Sequence, residues 1–136
     1  MIKWEPSMST GVETVDDQHR QLIAWLNDLL GAMKEGRGRG EIQHLLDELG
    51  GYAATHFAHE EGCMARYHCP VAAANMAAHQ DFVRVFGAFK AEFERVGATS
   101  EIVVRVQREL MAWLTGHIKG IDTQLYPCVK AAGPSA

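Results

Sequence analysis

The chain has 136 residues, of which 47% are hydrophobic and 22% are charged. This composition is typical of a folded soluble domain and excludes a disordered chain or a membrane-embedded one. The net charge of -4 and a basic stretch limited to Arg37 and Arg39 offer no surface for nucleic acid. We therefore expect one domain over residues 1–136, with no nucleic-acid or membrane partner.

The first ten residues contain no apolar run long enough for a signal peptide or a membrane anchor. The three cysteines, Cys63, Cys69 and Cys128, form an odd set without a CxxC pair, which suits a reducing compartment better than a disulfide framework. We therefore expect a cytoplasmic protein with free thiols, to which the sequence assigns no role.

Four segments in chain order have apolar residues recurring every three or four positions, which predicts amphipathic helices. The apolar stripes run over residues 15–33, 42–67, 82–96 and 103–121. Glycines follow the first and third stripes, Pro70 follows the second, and Thr99 and Ser100 open the fourth. Short connections between helices favour antiparallel neighbours. The sequence therefore predicts an all-α fold, an antiparallel up-down-up-down four-helix bundle with an extended N-terminal arm before Val15.

Ionisable residues share the apolar face of every one of these helices. His19 lies within the first stripe, His56 and Glu60 within the second and His117 within the fourth, and His79 continues the third stripe ahead of Phe82. A single histidine on an apolar face is more often an ordinary core residue than a ligand. Several buried ionisable groups cost several kcal/mol each unless they are compensated, and a cation compensates imidazoles and carboxylates together. The pattern therefore predicts a metal site inside the bundle.

The spacing of these residues constrains the site further. His56 and Glu60 are four residues apart and share one helical face. Asp122 follows His117 by five residues, about 140° around a regular helix, so it reaches the same centre only if the helix bulges, bends or ends there. Four histidines and two carboxylates exceed the needs of one tetrahedral ion, whereas two metals sharing bridging carboxylates accommodate them.

These residues resemble the hemerythrin family, in its single-domain bacterial form, along nearly the whole chain. The matching residues are Trp4, Val15-Asp16-Asp17-Gln18-His19 with Leu22, His56-Phe57 with Glu60-Glu61, His79 with Phe82, and Trp113-Leu114 with His117-Ile118 and Asp122. The resemblance implies reversible O2 binding at a non-haem centre of two iron ions, which alternate between Fe2+ and Fe3+.

The same resemblance implies a role for each residue of the centre. Glu60, Asp122 and a solvent-derived oxo or hydroxo group bridge the two irons. His19 and His56 bind one iron, where O2 takes the open position, and the other iron is held by His79 and His117. The implied wall of an apolar O2 pocket comprises Leu22, Phe57, Trp113, Leu114 and Ile118.

The sequence departs from the family pattern at two positions. Asn75 stands where the family has a further histidine, one turn before His79, and Leu125 stands where the family usually has a tyrosine. The Asn75 side chain, water or His68 could complete the second iron, or the position could stay open. Because an amide is a poor iron ligand beside imidazole, we favour water or an open position, and we interpret His68 as a surface loop residue.

Three functions fit such a site. The leading hypothesis is a non-enzymatic O2 carrier, store or sensor, which would serve an O2-using enzyme or a signalling protein. The alternative is a di-iron oxidase or peroxidase that uses the extra open position near Asn75. The third is a structural bundle without metal.

Overall fold

The computed structural model describes residues 2–132. The α-helices in this range are α1 (Glu13–Lys34), α2 (Arg39–Arg66), α3 (Ala72–Val96), α4 (Ser100–Arg105), α5 (Met111–Gly120) and α6 (Leu125–Ala132). Two 3-10 turns, Pro6–Met8 and Asp122–Gln124, and a π-helical turn, Val106–Leu110, complete the set. Residues 2–132 include no β-strand, and none of their helices is long and apolar enough to cross a membrane.

The α4 helix, the π-helical turn and α5 follow one another without interruption and form the fourth helix of a bundle. α1 packs against α2, α2 packs against α3, and the fourth helix packs back against α1. Because the connections between consecutive helices are short, neighbours run antiparallel. The predicted up-down-up-down bundle is confirmed.

Local sequence signals explain where the helices begin and end. The Thr99 hydroxyl accepts a hydrogen bond from the Ile102 backbone N–H (3.2 Å) and caps α4. Gly36 and Gly97 follow α1 and α3 with φ angles of 68° and 79°, a left-handed conformation that glycine adopts at no steric cost. The loops therefore start where the sequence predicts.

The apolar stripes of the four helices meet in one core that fills most of the bundle. A row of phenylalanines on α3, Phe82, Phe86, Phe89 and Phe93, forms a large part of it, and each is at most 7% exposed. A smaller cluster at the opposite end contains the buried residues Val15, Met64, Cys69 and Leu125. The buried ionisable residues lie along the chain between these two clusters, so a polar layer divides the core.

The N-terminal arm is extended apart from its single 3-10 turn, and hydrogen bonds to side chains of α1 hold it against the bundle. The Ile2 N–H donates to Asn27 Oδ1 (3.0 Å), and Asn27 Nδ2 donates to the Ile2 carbonyl (2.8 Å). The Thr10 N–H and hydroxyl both donate to Asp16 Oδ1, at 2.8 and 2.9 Å. Asp16, an otherwise costly buried carboxylate, is therefore paired with the arm.

Two adjacent glycines of α2, Gly50 and Gly51, differ in how much space surrounds them, because α2 and α3 pack closely at Gly50. A Cβ at Gly50 would lie 2.9 Å from Phe86 Cε1, whereas a Cβ at Gly51 would meet no atom within 4 Å. Alanine favours a helix over glycine by about 1 kcal/mol, and overpacking a core costs about 1–3 kcal/mol. We expect Gly51→Ala to raise the free energy of unfolding by about 1 kcal/mol.

Gly50→Ala is expected to lower the same free energy by about 1 kcal/mol, because the clash with the packed Phe86 ring outweighs the gain in helix propensity. Urea denaturation of both variants measures the difference. Equal stabilisation by the two substitutions would contradict the close packing of α2 on α3 at Gly50.

Candidate metal centre

The structure brings all six predicted ligand residues together inside the bundle. His19 lies on α1, His56 and Glu60 on α2, His79 on α3, His117 on α5 and Asp122 in the 3-10 turn that follows it. Each is at most 6% exposed. Two groups of convergent atoms result: His19 and His56 with Glu60 and Asp122, and His79 and His117 with the same two carboxylates. Within each group the potential ligand atoms lie within 4.8 Å of one another.

Asp122 reaches this centre because the fourth helix ends just before it. α5 stops at Gly120, and the tighter 3-10 turn Asp122–Gln124 begins after Ile121. A 3-10 turn has three residues per turn instead of 3.6, so it redirects the side chains that follow the helix. Of the three arrangements that the five-residue spacing from His117 allows, the structure has the one in which the helix ends.

Each carboxylate divides its two oxygens between the two histidine pairs. Glu60 Oε2 lies 3.1 Å from His19 Nε2 and 3.4 Å from His56 Nε2, whereas Oε1 lies 3.2 Å from His79 Nε2. Asp122 Oδ2 lies 3.0 Å from His19 Nε2, and Oδ1 lies 3.0 Å from His117 Nε2. This is the arrangement of carboxylates that bridge two metal ions.

Several buried polar atoms of the centre have no hydrogen-bond partner in the described part of the chain. Both Asp122 oxygens and Glu60 Oε1 accept no hydrogen bond from any described residue, although imidazoles lie close to them. His79 Nε2 and His117 Nε2 lie only 3.1 Å apart. Although His19 Nε2 and Glu60 Oε2 are hydrogen-bonded (3.1 Å), both Asp122 oxygens and Glu60 Oε1 converge with the imidazole nitrogens on shared points. Because unsatisfied buried polar groups are costly, cations at these points fit the donor set of imidazole nitrogens and carboxylate oxygens.

Two further side chains contact the Nδ1 atoms of two of the imidazoles, on the side of each ring opposite the centre. Gln18 Oε1 lies 2.8 Å from His56 Nδ1, and Glu61 Oε2 lies 2.9 Å from His79 Nδ1. A partner on Nδ1 fixes the ring and leaves Nε2 free to face the centre. Neither Gln18 nor Glu61 was predicted to have a role, although Gln18 directly precedes His19 and Glu61 directly follows Glu60 in the chain.

Charge within the centre is balanced by protons when no metal is bound. Burial lowers the pKa of His19, but the carboxylates of Asp122 and Glu60 outweigh it and raise that pKa from 6.5 to about 9. The same causes raise the pKa of His117 to about 9. Burial lowers the pKa of His56. For Glu60, burial opposes ionisation, yet the four surrounding imidazoles hold its pKa far below the usual range.

The comparisons with known proteins agree with this architecture. The family model of the hemerythrin HHE cation binding domain matches residues 10–129. The chain belongs to the hemerythrin family. A bacteriohemerythrin of Stenotrophomonas maltophilia is 30% identical over 131 residues, which cover 96% of this chain and 83% of that protein. A bacteriohemerythrin of Methylococcus capsulatus is 31% identical over 132 residues, covering 96% and 98% respectively.

Solved hemerythrin structures share the fold as well. A crystal structure of wild-type hemerythrin superposes with a TM-score of 0.81 at 29% sequence identity, over 94% of this chain and 97% of that one. The similarity therefore includes the whole bundle, together with the segments that carry the two groups of ligand atoms.

Asn75, expected from the resemblance to stand in place of a further histidine, is fully buried. Its side chain is 0% exposed, and neither amide atom has a hydrogen-bond partner among the described residues. It lies on α3 one turn before His79, on the same helical face. His68, in contrast, is exposed in the turn after α2, with a φ of 53°, and belongs to neither group of ligand atoms.

A small apolar cavity lies beside the polar layer. Its volume, measured as the space open to the centre of a water-sized sphere, is about 10 Å³. The lining residues are Leu22, Leu26, Leu49, Ala53, Phe57, Phe82 and Leu114. On each of the four helices one lining residue is three positions from a histidine of the centre. The cavity and the histidines therefore occupy adjacent layers of the bundle.

Three of the five predicted pocket residues, Leu22, Phe57 and Leu114, line this cavity. Trp113 instead stacks on the His117 ring, with centroids 4.5 Å apart, and Ile118 is fully buried elsewhere in the core. The resemblance implied both residues as pocket wall; they lie in or against the core cluster on the cavity side but do not line the cavity.

The raised pKa values of His19 and His117 predict that protons compete with metal. Only neutral imidazole binds a metal ion, and each group of ligand atoms contains one of these two histidines. Below their pKa of about 9 each ion must displace one proton, so the affinity for Fe2+ should rise about tenfold per pH unit between about pH 6 and 8.

Anaerobic Fe2+ titrations at several pH values measure this slope. His44→Ala, which removes an exposed histidine of α2, is the control and should leave the slope unchanged. An affinity that stays constant across this range would contradict protonation of His19 and His117 in the metal-free protein.

Proposed function

We propose that this protein binds O2 reversibly at a di-iron centre between its helices. One observation carries the proposal: Glu60 and Asp122 each turn one oxygen toward each of two histidine pairs. His19 and His56 would hold one iron, and the second would be held by His79 and His117. Membership of the hemerythrin family supports iron as the metal.

Iron held in this way would supply reversible O2 binding through exchange between its Fe2+ and Fe3+ states. The protein's own residues fix the ligands and keep the centre dry. Gln18 and Glu61 hold two imidazole rings in place, and burial of the six ligands excludes bulk solvent. Such a rigid, water-poor centre favours a small neutral ligand over hydrolytic side reactions.

The apolar cavity determines which ligands can approach. Its lining exposes no polar surface, so it offers no hydrogen bond to an organic substrate and a neutral diatomic molecule loses little by entering it. The Leu22, Phe57 and Leu114 side chains separate the histidine layer from the rest of the core. A carrier, store or sensor of O2 therefore fits this pocket better than an enzyme for a larger substrate.

The first test removes the bridging carboxylate of α2. Purified parent protein is expected to contain about two irons per chain, and Glu60→Ala should lose most of both, because Glu60 belongs to both groups of ligand atoms. Binding to the native state stabilises it, so the melting temperature of the iron-loaded parent should exceed that of the variant.

Glu48→Ala is the matched control, since it removes an exposed glutamate from the same helix. Elemental analysis, thermal melting, and absorption spectra cycled between air and argon provide the measurements. A parent that contains only zinc, or that shows no reversible spectral change, would contradict the proposal.

A second candidate function, oxidation or peroxide turnover, is favoured by one specific observation at Asn75. The buried amide has no partner within the described chain and stands one turn from His79. Glu61 and His79 also line an open surface groove of about 350 Å³ between α2 and α3, which reaches toward this histidine pair. A second iron with fewer imidazoles would accept peroxide or another small exogenous ligand.

Asn75→His tests this alternative by placing a second imidazole four residues before His79 on the same face. We expect the variant to retain iron longer against a chelator, to autoxidise more slowly in air and to turn over less peroxide, because the added ligand closes the position. Met76→His puts an imidazole on the exposed side of the same helix and should match the parent. If Asn75→His also matches the parent in all three assays, Asn75 does not mark an open ligand position.

A further inference from the structure

All three cysteines lie at the end of the bundle that the polar layer separates from the phenylalanine-rich core. The smaller core cluster is formed by buried residues from the start of α1, the end of α2 and the start of α6, and two half-buried thiols pack against it. Cys69 belongs to its buried part, whereas Cys63 and Cys128 lie at its edge. The bundle thus gathers thiols that are far apart in the sequence.

Two of these thiols, Cys69 and Cys128, come from the connection between α2 and α3 and from α6 and share this cluster. Cys69 is 6% exposed in the connection from α2 to α3, where its backbone N–H donates to the Met64 carbonyl (2.9 Å). Cys128, on α6, donates its thiol to the Gln124 carbonyl (3.4 Å) and packs against the cluster in which Cys69 is buried. Cys63 instead approaches the His59 ring, 3.8 Å from Nε2.

The surroundings of the pair point to redox chemistry instead of metal binding. Among the described residues, neither group of convergent metal-ligand atoms contains a cysteine. Cys128 also lines an open surface cleft of about 470 Å³, together with Tyr67, His68, Pro70, Pro127 and Ala131. A small oxidant arriving from solvent therefore meets Cys128 first, with Cys69 buried behind it.

We propose that Cys69 and Cys128 are a redox-active dithiol, which hydrogen peroxide oxidises to a disulfide that links the α2–α3 connection to α6. In the first step the Cys128 sulfur attacks one peroxide oxygen, the O–O bond breaks, and the thiol proton leaves with the other oxygen as water. The Cys69 sulfur then attacks Cys128, the S–O bond breaks and a second water forms. Two thiols lose two electrons and two protons, and peroxide is reduced to water.

The electrostatic surroundings of Cys69 agree with this order of events. Burial, together with the neighbouring Cys128, raises the pKa of Cys69 to about 12. Because the thiolate is the nucleophilic form, Cys69 is not the sulfur that free peroxide oxidises first. It resolves the sulfenic acid of Cys128 because the two residues share one cluster, and its proton leaves with the departing hydroxyl as water.

The disulfide would also tie together the segments that carry the two shared carboxylates. Glu60 precedes Cys69 along α2 and its connection, and Asp122 precedes Cys128 in the turn that leads into α6. Loss of metal requires these carboxylates to separate, so a covalent link beyond them should slow metal release. This consequence rests on the proposed metal centre, whereas formation of the disulfide does not.

Peptide mapping by mass spectrometry after treatment of the full chain with hydrogen peroxide tests the dithiol. We expect a linked Cys69–Cys128 peptide, lighter by two hydrogen atoms, in the parent and in Cys63→Ser, and its reversal by dithiothreitol. Cys69→Ser should trap a sulfenic acid at Cys128 that dimedone labels, and Cys128→Ser should form neither product. Linkage to Cys63, linkage between chains, or labelling of Cys69 first would overturn the proposal.

The rate at which a chelator removes the metal tests whether the disulfide stabilises the metal centre. The oxidised iron-loaded parent is expected to lose iron at least about tenfold more slowly than the reduced form, with no such difference in Cys128→Ser. Equal rates for the two forms of the parent would overturn the link to the centre. If the protein held no iron at all, the proposed function would fail while the peptide map still decided the dithiol.

Discussion

The rest of this structure depends on two carboxylates that are buried among four imidazoles and whose charge must be compensated there. Glu60 and Asp122 are at most 1% exposed, and a lone ionised carboxylate in such surroundings costs several kcal/mol. Compensation must come from positive charge held at the same place, either protons on His19 and His117 or metal ions. Because no single helix can place six such groups around two points, the whole bundle has to assemble before the layer is complete. The positions of the six ligand residues therefore depend on the complete bundle.

The polar layer also divides the interior into two environments with different chemistry. On one side the helices supply leucine, alanine and phenylalanine around a dry cavity, suited to a small neutral ligand. On the other side the start of α1, the end of α2 and α6 enclose the three cysteines. This division follows from the antiparallel arrangement of the helices. On α1 and α3 the cavity-lining residue comes three positions after the histidine, whereas on α2 and α5, which run the other way, it comes three positions before the histidine. A ligand-binding side and a redox-sensitive side follow from the same register.

Periodicity and residue type were sufficient to predict the bundle and to pick out His19, His56, Glu60, His79 and His117, because helical spacing fixes which face a residue occupies. The position of Asp122 required knowing that α5 ends at Gly120, which depends on tertiary packing. Gln18 and Glu61 each contact a histidine on another helix, and Cys69 and Cys128 come together in one cluster from distant parts of the chain. These contacts depend on how helices are rotated against one another, and a single sequence does not specify that rotation. For the same reason the cavity includes Leu114 but not its neighbour Trp113.

Diffraction at the iron absorption edge, from crystals of protein purified with iron, tests the central claim most directly. The arrangement of Glu60 and Asp122 predicts two anomalous peaks inside the bundle, about 3.5 Å apart. One peak should lie against His19 and His56 and the other against His79 and His117, with each carboxylate touching both. A single peak, or iron bound anywhere outside this layer, would contradict the account.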